Sequence, residues 1–159
     1  MKAFTFIELI FAIIIIGILA SVAIPKFTNL TTHAKNSNIK SIVASVHSSI
    51  ENIHGKWLID DDYNWTSFDG LATLNSNGYP TKLDSGKNEK DLFKYVLKVS
   101  VPSCGDKKSG CLEEWEDNRY RYFYTPSKIL QFDYNATSGK LECIDGVDVN
   151  KTECERILY

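Results

Sequence analysis

Phe4-Thr5-Phe6-Ile7-Glu8-Leu9-Ile10-Phe11-Ala12-Ile13-Ile14-Ile15-Ile16-Gly17-Ile18-Leu19-Ala20-Ser21-Val22-Ala23-Ile24 is the stretch from which the organisation of the chain follows. Only Thr5, Glu8 and Ser21 in it are distinctly polar. At a rise of 1.5 Å per residue, about twenty apolar residues match the hydrocarbon thickness of a bilayer, so a membrane-spanning helix is predicted. Glu8 is the anomaly. A carboxylate inside an apolar span costs roughly 2.5–3.5 kcal/mol on insertion scales, so it is by default a functional residue with a compensating partner.

Upstream stand Met1-Lys2-Ala3, a short leader with one basic residue. The small Ala3, the aromatic Phe4, a glutamate four residues later and the unbroken apolar run together resemble the class III signal of type IV pilins and pseudopilins. In that family a prepilin peptidase cuts before the aromatic residue. The resemblance therefore implies processing between Ala3 and Phe4, with Phe4 as the mature, N-methylated terminus. Gly17 and Pro25 stand where the family commonly places a glycine and a proline, whereas Ala3 replaces the more usual glycine. The competing reading is a secretory signal peptide cut after Ser21-Val22-Ala23, with Lys2 as its basic region. Against it stand Glu8 within the apolar run, the length of that run and the crowding of the cut by Pro25. A plain N-terminal anchor accounts for the run but not for Glu8.

Beyond Pro25 the apolar residues become periodic. Phe27, Leu30, Ala34, Ile39, Ile42, Val46, Ile50, Ile53 and Trp57 recur mostly at three- and four-residue steps, one stripe of an amphipathic helix, with Gly55 as its expected stop. Span and stripe together predict a rod of about fifty residues, roughly 75 Å if fully helical. Pro25 lacks the N–H that would reach the Ser21 carbonyl, so a kink or a melted segment is expected between Gly17 and Pro25. His33, His47 and His54 lie on this rod without ligand-spaced partners and read as a solvated face.

From Asp60 to Lys90 the composition turns to Asp, Asn, Ser, Gly and Pro. Asp60-Asp61-Asp62, Asp69-Gly70, Asn77-Gly78-Tyr79-Pro80 and Asp84-Ser85-Gly86 signal turns, with a short helix expected near Leu71. Leu92, Phe93, Val96 and Leu97 cluster at helical spacing and predict a second short helix over 88–99, with Asn88 and Asp91 in its first turn. Three β-rich runs follow, at 119–125, 129–134 and 140–144. Pro126-Ser127 and Asn135-Ala136-Thr137-Ser138-Gly139 separate them, which reads as an antiparallel meander. Its aromatics are expected to cover the helix stripe.

The 159 residues carry a net charge of −2 and no Lys/Arg run, so nucleic-acid binding is not indicated. The cysteines fall as Cys104-x6-Cys111 and Cys143-x10-Cys154, spacings that fit neither a zinc knuckle nor a redox pair but suit an exported domain. Three pairings are open. The local one, Cys104 with Cys111 and Cys143 with Cys154, is favoured, each bridge closing a short loop. The second bridge resembles the one that bounds the C-terminal region of many pilins. No phosphate loop, nucleophile elbow or HExxH appears, so neither catalysis nor a cofactor or metal is expected. Asp145, Asp148 and Asn150 match no calcium loop and read as turn and cap groups.

Asp62-Tyr63-Asn64-Trp65-Thr66, Asp133-Tyr134-Asn135-Ala136-Thr137 and Asp148-Val149-Asn150-Lys151-Thr152 each resemble the extended acid-x-Asn-x-Ser/Thr acceptor of bacterial N-glycosylation. Composition predicts only about 0.2 such matches. Asn64, Asn135 and Asn150 are therefore candidate modification sites.

The resemblance implies an α+β pilin-like fold. Residues 1–3 would be the leader, 4–25 the membrane and filament-core helix, 26–57 the amphipathic helix, and 58–159 a head with an antiparallel sheet and a disulfide-bounded tail. It further implies a structural subunit held in the bacterial inner membrane, with its head in the periplasm. That subunit would polymerise with itself and with minor pilins at an inner-membrane assembly platform, Phe4, Glu8, Gly17 and Pro25 serving assembly. The alternative is a membrane-anchored exported ligand-binding domain that never polymerises.

Overall fold

The apolar stretch and the periodic stripe form one helix in the computed structural model, which describes residues 5–60, 62–86, 90–104, 108–125 and 127–159. This helix, α1, spans Phe6–Ile59. Residues 17–25 are helical, so the expected melted segment is absent. Pro25 deprives only the Ser21 carbonyl of an amide donor, and one missing rung does not unwind a helix of 54 residues. Gly55 does not stop it either. An added Cβ there would meet nothing within 4 Å, and a helix-interior glycine costs only about 1 kcal/mol relative to alanine.

The chain divides into two units, residues 1–36 and 37–159. The first holds the apolar part of α1. In the second, Ile39, Val43, Val46 and Ile50 of α1 are buried at steps of four, three and four residues, the period that places them on one face.

That face joins one core with a four-stranded antiparallel sheet of β3 (Cys111–Glu116), β4 (Arg119–Phe123), β5 (Ile129–Asn135) and β6 (Lys140–Val147), paired in chain order. The last three strands are the expected meander, and β3 is an addition. Alternation turns Leu112, Tyr120, Tyr122, Leu130, Phe132, Tyr134 and Leu141 inward, all buried. The rings pack closely, Tyr120 lying 4.6 Å from Phe93 and 5.6 Å from Phe132 between centroids. A short pair, β1 (Asp91–Leu92) with β2 (Val101–Pro102), stands beside this sheet.

The expected helix over 88–99 is not formed. Asp91 and Leu92 are extended, and Phe93 takes φ 57 while its N–H donates to Asp84 Oδ2 at 3.2 Å. A left-handed residue ends any helix there, and burial of Leu92 and Phe93 together favours the turn. Asn88 lies outside the described residues, as do Asp61 and Pro126. No helix forms near Leu71 either, because Asp69 Oδ1 caps a tight turn by accepting from Ser67 Oγ (2.7 Å) and Leu71 N (3.1 Å).

Helix α2 (Lys151–Leu158) closes the second unit. Asn150 caps it by accepting from Glu153 N at 2.8 Å, and Asp145 Oδ1 accepts from Lys151 N at 2.8 Å. Cys154, Ile157 and Leu158 are its buried face. Disulfides join Cys104 to Cys111 and Cys143 to Cys154, the second tying α2 to β6. The Tyr159 hydroxyl donates to the Leu141 carbonyl, and Lys40 Nζ of α1 donates to the Tyr159 carbonyl at 2.7 Å.

His54 departs from the solvated face expected of it. Its ring stacks on Tyr79 at 4.1 Å and faces Trp57 at 5.7 Å. Two turn glycines make room for this stack. A Cβ on Gly78 would lie 2.3 Å from the Trp57 ring, and one on Gly139 would lie 2.3 Å from Tyr79. Both also have positive φ, of 76 and 69 degrees, so the turn chemistry of Asn77-Gly78 serves packing as well.

Candidate functional site

Among the described residues, the large apolar side chains of α1 in the first unit are exposed. Phe6, Ile7, Leu9, Ile10, Phe11, Ile13, Ile14, Ile15, Ile16, Ile18, Leu19, Val22 and Ile24 are each at least 41% exposed. Burying one such side chain is worth about 1.5–3 kcal/mol, so leaving all of them in water would cost tens of kcal/mol. No protein monomer of ordinary stability sustains that. The surface needs lipid or other apolar helices on every side, and the helix is long and apolar enough to cross a membrane.

Glu8 is the only charged group of this surface from Phe6 to Ile24. It lies in the first turn of α1, where the amides of Glu8 and Leu9 both turn back to the Thr5 carbonyl, at 3.1 and 3.3 Å. The positive end of the helix dipole favours a carboxylate there. Ala3 and Phe4 lie outside the described residues. Gly17 presents a bare backbone, with nothing within 4 Å of an added Cβ, and so leaves a notch in the apolar surface. Pro25 sits within the helix, one turn beyond Ser21, whose hydroxyl donates to the Ile18 carbonyl at 2.7 Å.

The second unit holds a polar cluster that the sequence reading did not pick out. Asp84 is buried, and accepts from Gly86 N (3.3 Å), Phe93 N (3.2 Å) and Tyr120 Oη (3.1 Å). Glu114 of β3, also buried, accepts from Asn118 N at 2.8 Å through Oε1. Its Oε2 has no hydrogen-bond partner among the described residues, and Asp84 acts on the carboxyl from nearby. Burial first, and then Asp84, push the Glu114 carboxyl up to about 9, so at neutral pH it keeps its proton. Burial and Asp84 also raise the Tyr120 hydroxyl well above its usual value. The cluster pins the 84–86 turn, the Phe93 turn and the β3–β4 hairpin to one another, a structural role. Buried glutamate signals nothing in a sequence except where it breaks the alternation of a strand, as Glu114 does between Leu112 and Trp115.

No known family's sequence profile matches the chain, and no solved structure matches it. Two characterised proteins do. The type IV narrow pilus major component PilA5 of Thermus thermophilus is 34% identical over 91 residues, which cover 48% of this chain and 78% of that protein. The type IV major fimbrial protein FimA of Dichelobacter nodosus is 37% identical over 73 residues, 45% of this chain and 47% of that protein. The match thus spans about half the length of FimA.

Proposed function

Because this chain belongs to the type IV pilin family, we propose that it is stored in the inner membrane, cut by a prepilin peptidase between Ala3 and Phe4, and then drawn into a filament at an inner-membrane assembly platform. Its function is that of a structural subunit of a type IV filament. The observation that carries this reading is the apolar surface from Phe6 to Ile24, uncovered on every side and bearing a single carboxylate. Lipid satisfies such a surface before assembly, and the same helices of neighbouring subunits satisfy it afterwards. Transfer from one to the other exchanges apolar surroundings for apolar surroundings, so the choice between them rests on packing and on the few polar groups. In this reading Glu8 pairs with the Phe4 amine of a neighbour, while Gly17 and Pro25 supply the notch and the weak rung that let helices approach and adjust. Residues 58–159 face the periplasm before assembly and the filament surface after it, in the company of minor pilins.

The intact mass of the protein purified from its membrane tests this sequence of events. A chain beginning at Phe4, with one methyl group on its amine, is expected. A mass that retains Met1 would assign a plain anchor, and one beginning at Ile24 would assign a secreted protein.

A further inference from the structure

The three acid-x-Asn-x-Thr segments lie in very different surroundings. From Asp62 to Thr66 the side chains alternate: Asp62, Asn64 and Thr66 are exposed, Tyr63 and Trp65 half-buried. The segment carries no helix or ladder strand: Asp62 lies in a turn, where Tyr63 N donates to the Asp60 carbonyl and Asp62 N to Asp60 Oδ1 at 3.2 Å, and Thr66 makes one isolated bridge with Thr73. The acid, the amide and the hydroxyl are thus all open to solvent, with a half-buried ring between each pair. Among the described residues the Asn64 side chain makes no hydrogen bond.

Asn135 is held. It ends β5 opposite Lys140, its Nδ2 donates to Glu142 Oε1 at 3.0 Å, and its Oδ1 accepts from Thr137 N at 3.0 Å. Its acid, Asp133, is paired with Arg119 Nε at 3.2 Å, and the Thr137 carbonyl is tied to Asn77 Nδ2. Asn150 is occupied as the cap of α2, and its threonine, Thr152, lies inside that helix. Asn150 itself is extended, but bringing Thr152 into line with it would unwind the first turn of α2, which Cys154 fastens to β6.

We infer that Asn64 is an N-glycosylation site of the exported head and that Asn135 and Asn150 are not, because the folded chain offers the acid, amide and hydroxyl together only at Asp62, Asn64 and Thr66. The donor is an oligosaccharide linked to a polyprenyl pyrophosphate. Asn64 Nδ2 attacks the anomeric carbon and forms a C–N bond. The anomeric C–O bond to pyrophosphate breaks, the polyprenyl pyrophosphate leaves with the electron pair, and the amide proton passes to a base of the transferase. No redox change is involved. Asp62 supplies the negative charge that a cationic group of the transferase reads two residues before the asparagine. This inference rests on export of the head, which the pilin reading requires.

The test expresses the full chain in cells that carry a membrane oligosaccharide transferase and its lipid-linked donor, beside an acceptor protein known to be modified there. Only chain with both disulfides formed is analysed, so export is established independently of the glycan. Trypsin separates the candidates, since residues 57–82, 129–140 and 141–151 each carry one of them. Glycan on most copies of 57–82 is expected, with at least tenfold lower occupancy of the other two peptides. Asn64→Gln should remove it and Asp62→Ala should lower it at least tenfold. Unmodified 57–82 in oxidised chain from cells that modify the control protein would overturn the inference. Comparable occupancy at Asn135 or Asn150, or an undiminished Asp62→Ala, would overturn it equally.

Discussion

Glu8→Ala is expected to leave the protein in the membrane and to lower its recovery in sheared filaments at least a hundredfold. The proposed cleavage before Phe4 would create an ammonium four residues from the carboxylate, a spacing that on a helix puts both charges near one face. In a filament of packed subunits, the Glu8 of one and the amine of its neighbour would meet among apolar side chains. Two charges 4 Å apart attract by about 1 kcal/mol in water and about 4 kcal/mol at an effective dielectric of 20. Removing one partner of a buried pair leaves the other uncompensated, at a cost of about 3–5 kcal/mol, or a factor of roughly 150 to several thousand. Apolar contacts between the helices offer no substitute, since they change little when one helix slides past another. Membrane insertion should not suffer, because the substitution removes the one carboxylate that the span must carry. Glu8→Gln should fail in the same way, as it keeps the shape and loses the charge. Cell fractionation followed by shearing and immunoblotting measures both steps. Filaments at wild-type yield from either variant would remove the charge pair from the account.

The second large effect concerns stability and pH. Glu114 is held protonated in the folded head up to about pH 9, whereas its carboxyl ordinarily titrates near 4.5. Between those values the unfolded chain releases a proton that the folded chain retains, so this group's contribution is fully present below pH 4.5 and declines as pH rises towards 9. The loss is roughly 1 kcal/mol per pH unit across that window. Glu114→Gln keeps the volume, keeps an oxygen for Asn118 N and puts an N–H in place of the carboxylic proton. It has nothing to titrate. The variant should therefore match the wild type near pH 5 and gain on it steadily to pH 8. Urea unfolding of the full chain in detergent, followed by tryptophan fluorescence with Trp115 next to the substitution, reads the difference. Parallel curves for the two proteins over that range would mean that Glu114 is ionised in the folded head.

How much of this was legible beforehand depends on how local the deciding physics is. The membrane helix announces itself through composition, and the stripe from Ile39 to Ile50 through its period, because both signals lie within the element that they specify. Three of the four sheet strands were legible for the same reason, their inward positions being tyrosine, phenylalanine and leucine. β3 was not, since Glu113 and Glu114 look like a solvated run until Asp84 and the Asn118 amide are known to receive Glu114. The turn at Phe93 was misread as helix because its cause, the Asp84 carboxylate, lies nine residues away. Helix α2 did carry a local signal, Asn150 three residues before Glu153, but the same asparagine also read as a modification acceptor. At the N-terminal site the residue types were legible at once. The exposure of the large apolar side chains around them is a property of the folded chain and is read only from the structure.

Polymerisation of this chain through that apolar surface is tested most directly by the composition of surface filaments. Filaments sheared from cells that express the chain should contain it as a stoichiometric subunit, identifiable by peptides such as 57–82 and 129–140. Its deletion should remove those filaments or leave them without it. Filaments unchanged in amount and composition by the deletion, with the chain confined to the membrane fraction, would contradict the claim and leave an anchored head that does not assemble.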